Sequence, residues 1–127
     1  MKNSKNKKFT CKGINNALAL LESNRFEILS IDILKGGRAY GDPKLKNLID
    51  SHLASQFSKN QFYKKYNDGR TQGIIVEFSG KLIESRLPDF KNKSNVCLLA
   101  LDQIEDPQNF GQIIRTAECA GINGILF

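Results

Sequence analysis

Asn109, Gly111, Arg115 and Ala117 stand in the pattern Asn-x-Gly-x-x-x-Arg-x-Ala, shortly after Asp106-Pro107. A guanidinium presents its N–H donors in a rigid fork suited to phosphate or ribose oxygens. Gly111, in the first turn of the helix this segment predicts, would leave the backbone open to close approach. Asn109, placed just before that helix, could satisfy an orphan N–H with its side-chain oxygen. Arg115 is expected on the face opposite Ile113–Ile114. Taken alone it would read as a solvent-facing helix arginine, and it is the neighbours in register that favour a binding role. Asp102 and Asp106 flank the preceding loop, on the side of a parallel strand where ligands commonly sit. They read better as turn residues.

These side chains need elements to hold them. Val96 to Leu101 is a continuous apolar run, as expected of a parallel strand covered on both faces. Phe110, Ile113, Ile114, Ala117 and Gly121 then fall on one helical face, and Gly124 to Phe127 reads as the next strand. One such βαβ unit cannot bury a core alone, so the chain is expected to stop in mid-domain.

Upstream, Gly13 to Glu22 predicts a helix with Ile14, Leu18 and Leu21 on one stripe, ending at Ser23-Asn24. Ile28 to Leu34 predicts a strand closed by Gly36-Gly37. Asp42-Pro43 should start a second helix with Leu45, Leu48, Ile49 and Leu53 inward. Gln61 to Lys65 reads as a short strand and Gly73 to Phe78 as a buried one. The order helix, strand, helix, strand, strand gives a small α/β sandwich over residues 13–87. Residues 88–95 are polar and break all periodicity, as a linker would, and 96–127 form the incomplete second domain.

The formal net charge is +6, unevenly spread. Residues 1–12 hold five lysines and no acid, and are expected to form a basic flexible arm that contacts phosphates or merely solubilises. Residues 95–127 hold Arg115 against Asp102, Glu105, Asp106 and Glu118. Cys11, Cys97 and Cys119 are odd in number and lack metal-ligand spacing, which fits a reducing cytoplasm and no metal site. No apolar run reaches membrane-spanning length. The lone His52, among Leu48, Ile49 and Leu53, reads as structural.

The Asn109–Ala117 pattern with Asp106-Pro107 before it resembles the first motif of the TrmH (SpoU) family of RNA ribose 2′-O-methyltransferases. Gly13-Ile14-Asn15 before an apolar helix resembles the start of that family's N-terminal substrate-binding domain. Arg70-Thr71-Gln72-Gly73-Ile74-Ile75 resembles that domain's closing strand, with Thr71 where many members have histidine. The resemblance covers about residues 9–127. It implies a substrate-binding domain followed by the first βαβ of a knotted, SPOUT-type parallel-sheet domain. It further implies methyl transfer from S-adenosylmethionine to a ribose 2′-hydroxyl of ribosomal or transfer RNA, in the cytoplasm, by a protein that dimerises at full length.

On that resemblance Arg115 and Asn109 are the catalytic residues. Arg115 would orient and polarise the hydroxyl rather than act as a base, because a guanidinium keeps its proton. The cofactor site is expected beyond Phe127, so the 127-residue chain should neither bind the cofactor tightly nor turn over. Lys64, Lys65 and Arg70, interleaved with Phe62, Tyr63 and Tyr66, form a candidate RNA patch, since aromatic rings stack on bases. Core packing is expected to claim some of those rings. The alternative reading is a non-catalytic RNA-binding module.

Overall fold

A computed structural model describes residues 7–50 and 54–127. The chain divides into two compact units, Met1–Glu84 and Ser85–Phe127.

The first unit runs β1 (Lys8–Lys12), α1 (Ile14–Ser23), β2 (Glu27–Leu34), α2 (Pro43–Ile49), β3 (Ser55–Phe57), α3 (Lys59–Lys65) and β4 (Ile74–Ser79). Its sheet has the order β1-β4-β2-β3. β4 lies antiparallel to β1 and β2, and β2 parallel to β3. Alternation along the strands sends side chains to two cores. On one face Ile31, Ile33, Ile74 and Val76 pack with Ile14, Ala17 and Leu21 of α1 and Leu45 of α2. On the other, Leu34 and Ile75 pack with Phe62 of α3, flanked by Phe57 and Tyr66. Helices thus cover both faces of a mixed sheet.

Two sequence expectations are corrected, and one strand is added to them. Residues 8–12, assigned to the flexible arm, form β1 on the edge of the sheet. Their exposure alternates, with Phe9 and Cys11 half-buried, and the Phe9 ring lies 5.6 Å from that of Phe78. Period-two apolar placement outweighs the lysine count here, and lysines are common on edge strands. Gln61 to Lys65, read as a strand, belongs to helix α3. The cause is a capping box: Ser58 Oγ accepts from the Gln61 N–H, while Gln61 Oε1 accepts from the Ser58 N–H at 3.1 Å. The strand β3, paired with Asp32–Leu34, was not anticipated. Helix α1 falls where expected, closing on Asn24 at φ 50, and α2 starts at Asp42-Pro43 as expected but ends at Ile49, short of the expected stripe to Leu53. His52, Leu53 and the arm over residues 1–6 lie outside the described residues.

Residues 80–97 hold no helix or strand. In the second unit β5 (Leu98–Ala100), α4 (Pro107–Cys119) and β6 (Gly124–Leu126) form a βαβ with parallel strands, Leu98 opposite Gly124 and Ala100 opposite Leu126. A Schellman turn ends α4: the Ile122 N–H donates to the Ala117 carbonyl and the Gly121 N–H to that of Glu118. Gly121, at φ 73, supplies the left-handed residue this turn requires.

Candidate functional site

Helix α4 begins at Asp106-Pro107. Asp106 accepts from the Gln108 N–H at 2.8 Å, and Pro107 occupies the first helical position. Asp42-Pro43 starts α2 in the same way, with Asp42 accepting from the Lys44 and Leu45 N–H groups at 3.0 Å. The carboxylate of Asp106 is therefore a cap. Asp102 lies exposed in the loop before it.

Asn109 is not a cap, contrary to the sequence expectation. Asp106-Pro107 starts the helix earlier and leaves Asn109 inside its first turn, exposed. Its side chain borders an open groove of about 610 Å³ floored by Leu99, Ile113, Ala117 and Ile122. Arg115 takes a different direction: six residues on, at about 100° per residue, it projects roughly 120° away around the helix. Side chains lean toward the helix N-terminus, and Arg115 Nη2 lies 3.9 Å from where a Cβ on Gly111 would be. The guanidinium thus folds back over Gly111. It is exposed and makes no hydrogen bond or ion pair among the described residues. Ala117 is buried, its small side chain in the floor of the groove with Leu99 of β5. The motif therefore splits into Asn109 at the groove, Arg115 over Gly111 in solvent, and Ala117 as packing.

The lysine patch is also divided. Lys65 Nζ sits 2.7 Å from Asp32 Oδ2, which the Tyr66 hydroxyl also reaches, at 2.5 Å. The same ammonium lies 5.2 Å from the ring centroids of both Phe57 and Tyr66. Asp32 is buried on the sheet, and its carboxylate drives the Lys65 pKa up. Lys65 thus pins α3 to β2, which gives it a packing role in place of the expected free one. Phe62 belongs to the core, while Lys64 and Tyr63 remain exposed. Arg70 sits elsewhere, in the loop entering β4, its carbonyl beside Gly13.

That loop holds a residue whose role sequence reasoning missed. Helix α1 starts after Gly13, at φ 87 and without a side-chain cap of its own. Gln72 supplies the missing acceptor, its Oε1 taking the Ile14 N–H at 2.8 Å. Gly73 follows at φ 79, its backbone against Leu34, and buried Thr71 accepts the Gly73 N–H at 3.3 Å. The available signal was a helix start preceded by glycine, where the backbone needs an acceptor from elsewhere. Lys12 pairs with Asp68 at 2.7 Å, which holds the Asp68 pKa below the ordinary carboxylate value. Burial pushes the Cys11 thiol pKa up, which disfavours its reactive thiolate form. Among the described residues no cluster of three or more His, Cys, Asp or Glu could hold a metal, and no helix is long and apolar enough to cross a membrane.

No protein-family model matches the chain. It is 32% identical over 119 residues to the 23S rRNA (guanosine-2′-O-)-methyltransferase RlmB of Haemophilus influenzae, covering 90% of this chain and 48% of that protein. The RlmB of Escherichia coli K12 is 32% identical over 122 residues, covering 90% and 49%. An uncharacterized tRNA/rRNA methyltransferase of Borreliella burgdorferi is 49% identical over 51 residues, 40% of this chain and 22% of its own. Among solved structures, that of an RNA 2′-O ribose methyltransferase superposes with a TM-score of 0.64 at 18% identity, over 94% of this chain and 45% of that one. The AdoMet-bound rRNA methyltransferase of Sinorhizobium meliloti gives 0.57 at 18% identity, over 93% and 42%. The chain spans about half the length of the curated RlmB relatives it matches. Over nine tenths of its length it is similar in sequence to 23S rRNA (guanosine-2′-O-)-methyltransferases and in fold to a solved RNA 2′-O ribose methyltransferase.

Proposed function

We propose that this chain supplies the RNA-binding domain and the ribose-side arginine of an S-adenosylmethionine-dependent RNA 2′-O-ribose methyltransferase acting on ribosomal RNA. The observation that carries this is Arg115: an exposed guanidinium folded over Gly111, unpaired among the described residues, on the helix that follows a parallel strand. Similarity to ribosomal RNA methyltransferases over nine tenths of the chain supports it. Arg115 can grip a phosphate or ribose oxygen and hold a 2′-hydroxyl in place, and positioning of this kind lowers a barrier substantially. It stays protonated, so its contribution is orientation and charge. Asn109, on the groove side of α4, offers an amide donor and acceptor for a neighbouring part of the RNA.

The grooves of the second unit are floored mainly by apolar side chains, Leu99, Ile113 and Ile122 in one and Leu101, Ile104 and Phe110 in the other, with Asn109, Gln112 and Thr116 or Gln103 and Glu105 as their polar members. No residue of this chain is assigned to hold the cofactor. The family resemblance further carries a knotted parallel-sheet domain, a homodimer and a cytoplasmic site of action. The exposed apolar side chains along β5 and β6, Leu98 and Leu126 among them, suit a sheet extended by further elements.

The test is genetic. A ribose 2′-O-methyl group blocks alkaline cleavage at the adjacent phosphodiester, so each modified nucleotide leaves a gap in a hydrolysis ladder. Deleting the gene should fill one such gap in 23S ribosomal RNA. The wild-type gene should restore it and Arg115→Ala should not. An unchanged ladder after deletion would reject the enzyme reading. If the chain still bound ribosomal RNA, the non-catalytic module would take its place.

A further inference from the structure

Three segments meet where β1, β2 and β3 end and β4 begins. The Gly13 N–H donates to the Ile74 carbonyl at 3.4 Å, the Leu34 N–H to that of Gly73 at 2.9 Å, and the Ala39 N–H to that of Gln72 at 3.3 Å. Gln72 joins them. It holds φ 50, uncommon for a residue other than glycine. Its side chain takes the Ile14 N–H while its carbonyl takes that of Ala39. One exposed residue thus ties segments 12–16 and 35–41 to its own, 67–73.

The charge at this end is one-sided. Lys12, Lys35, Arg38 and Arg70 are exposed there. The carboxylates among them are spoken for: Asp68 is bound by Lys12 and by the Arg70 N–H, and Asp42 caps α2. Lys35, Arg38 and Arg70 make no ion pair among the described residues. Gly36 has nothing within 4 Å of where its Cβ would be, leaving an open loop between two of these cations. Cations on separate segments, without a common cradle, suit a chain of phosphates better than a single small anion.

We propose that RNA docks on this end of the sheet, its phosphates against Lys35, Arg38 and Arg70, and that Gln72 is the positioning residue of the surface. The inference rests on the RNA-binding reading above and moves the contact away from α3, where Lys65 is engaged with Asp32. Retention of an in vitro-transcribed 23S ribosomal RNA on filters by the whole chain tests it. The double variant Arg38→Glu/Arg70→Glu should bind about tenfold weaker or worse and flatten the salt dependence. Arg25→Glu, near the opposite end of the sheet, should change affinity by less than about threefold.

Gln72→Glu keeps an acceptor for the Ile14 N–H, so its melting temperature should stay close to that of the wild type. Its added charge should still weaken binding about tenfold, an effect a merely structural Gln72 would not show. Should that variant unfold, the arginine pair decides alone. Wild-type affinity in both would overturn the proposal while leaving RNA binding intact. Competition by polyglutamate as strong as by transfer RNA at equal charge would assign the surface to an acidic protein and overturn it too. A wild-type chain that retains no RNA would instead reject the RNA-binding reading itself, and the surface with it.

Discussion

Glycine inside a helix costs about 1 kcal/mol relative to alanine, and Gly111 lies well inside α4. A Cβ there would meet Arg115 Nη2 at 3.9 Å, ordinary contact distance, and nothing nearer. Packing among the described residues does not demand glycine at this position, whereas close approach of RNA to the helix, on the proposed function, would. Gly111→Ala should therefore stabilise α4 by about 0.5–1 kcal/mol, read as a slightly higher melting temperature. The same variant should fail to restore the ribose-methylation gap in the deletion strain. Restored methylation would refute this reading of Gly111. Gly73 is the opposite case, at φ 79 with a Cβ position 3.2 Å from Leu34 Cβ. Gly73→Ala should lower stability by about 1–3 kcal/mol in urea unfolding, and a neutral result would show that the turn relaxes without strain.

Helix α3 shows how an element can be fixed by signals that periodicity does not carry. Its seven residues hold one fully buried side chain, Phe62, too little for a helical stripe to register, and Tyr63 and Tyr66 mimic strand composition. The deciding information was local, Ser58 three residues before Gln61, and tertiary, the reach of Lys65 and Tyr66 to Asp32. The longer elements α1, β2, β4 and α4 were legible because their apolar spacing extends over enough residues to select one period. At the candidate site, residue types were legible and their directions only partly. The separate facing of Asn109 and Arg115 and the cap from Gln72 depend on helix phase and on contacts between segments.

The docking of α3 also has a pH signature. Burial, and then the Asp32 carboxylate, raise the Tyr66 pKa by disfavouring the phenolate, and Asp32 raises that of Lys65. Groups raised on folding stabilise in their protonated forms, so the contribution is whole below about pH 10 and lost as pH climbs through the folded values. Tyr66→Phe should cost about 1–2 kcal/mol at pH 7, as loss of a hydrogen bond to a charged group does. The gap from wild type should narrow above about pH 10. Urea midpoints at pH 7 and at about pH 10.5 measure both, and a gap that stayed constant would exclude this role for Tyr66.

At the scale of the molecule the two units are unequally built. The first has cores on both faces of its sheet, whereas Ala117 is the one buried apolar residue among those described in the second. Leu98, Ile104, Ile114, Leu126 and Phe127 are each more than a third exposed. A two-stranded parallel sheet carrying one helix leaves most of its apolar surface in water, and burial is the main favourable term in folding. The connection over residues 80–97 has no regular structure and exposes Arg86, Lys91 and Lys93, which suits it to proteolysis. Brief trypsin treatment should cut there first and leave a resistant fragment ending at Arg86, Lys91 or Lys93. That fragment should unfold cooperatively with nearly the melting temperature of the whole chain, because both cores lie within it. The remainder, to Phe127, should be digested further. Mass spectrometry of the digest and calorimetry of the purified fragment decide the point. A resistant C-terminal piece, or a first fragment that melts without a transition, would show that the stability of this chain is not carried by the first unit.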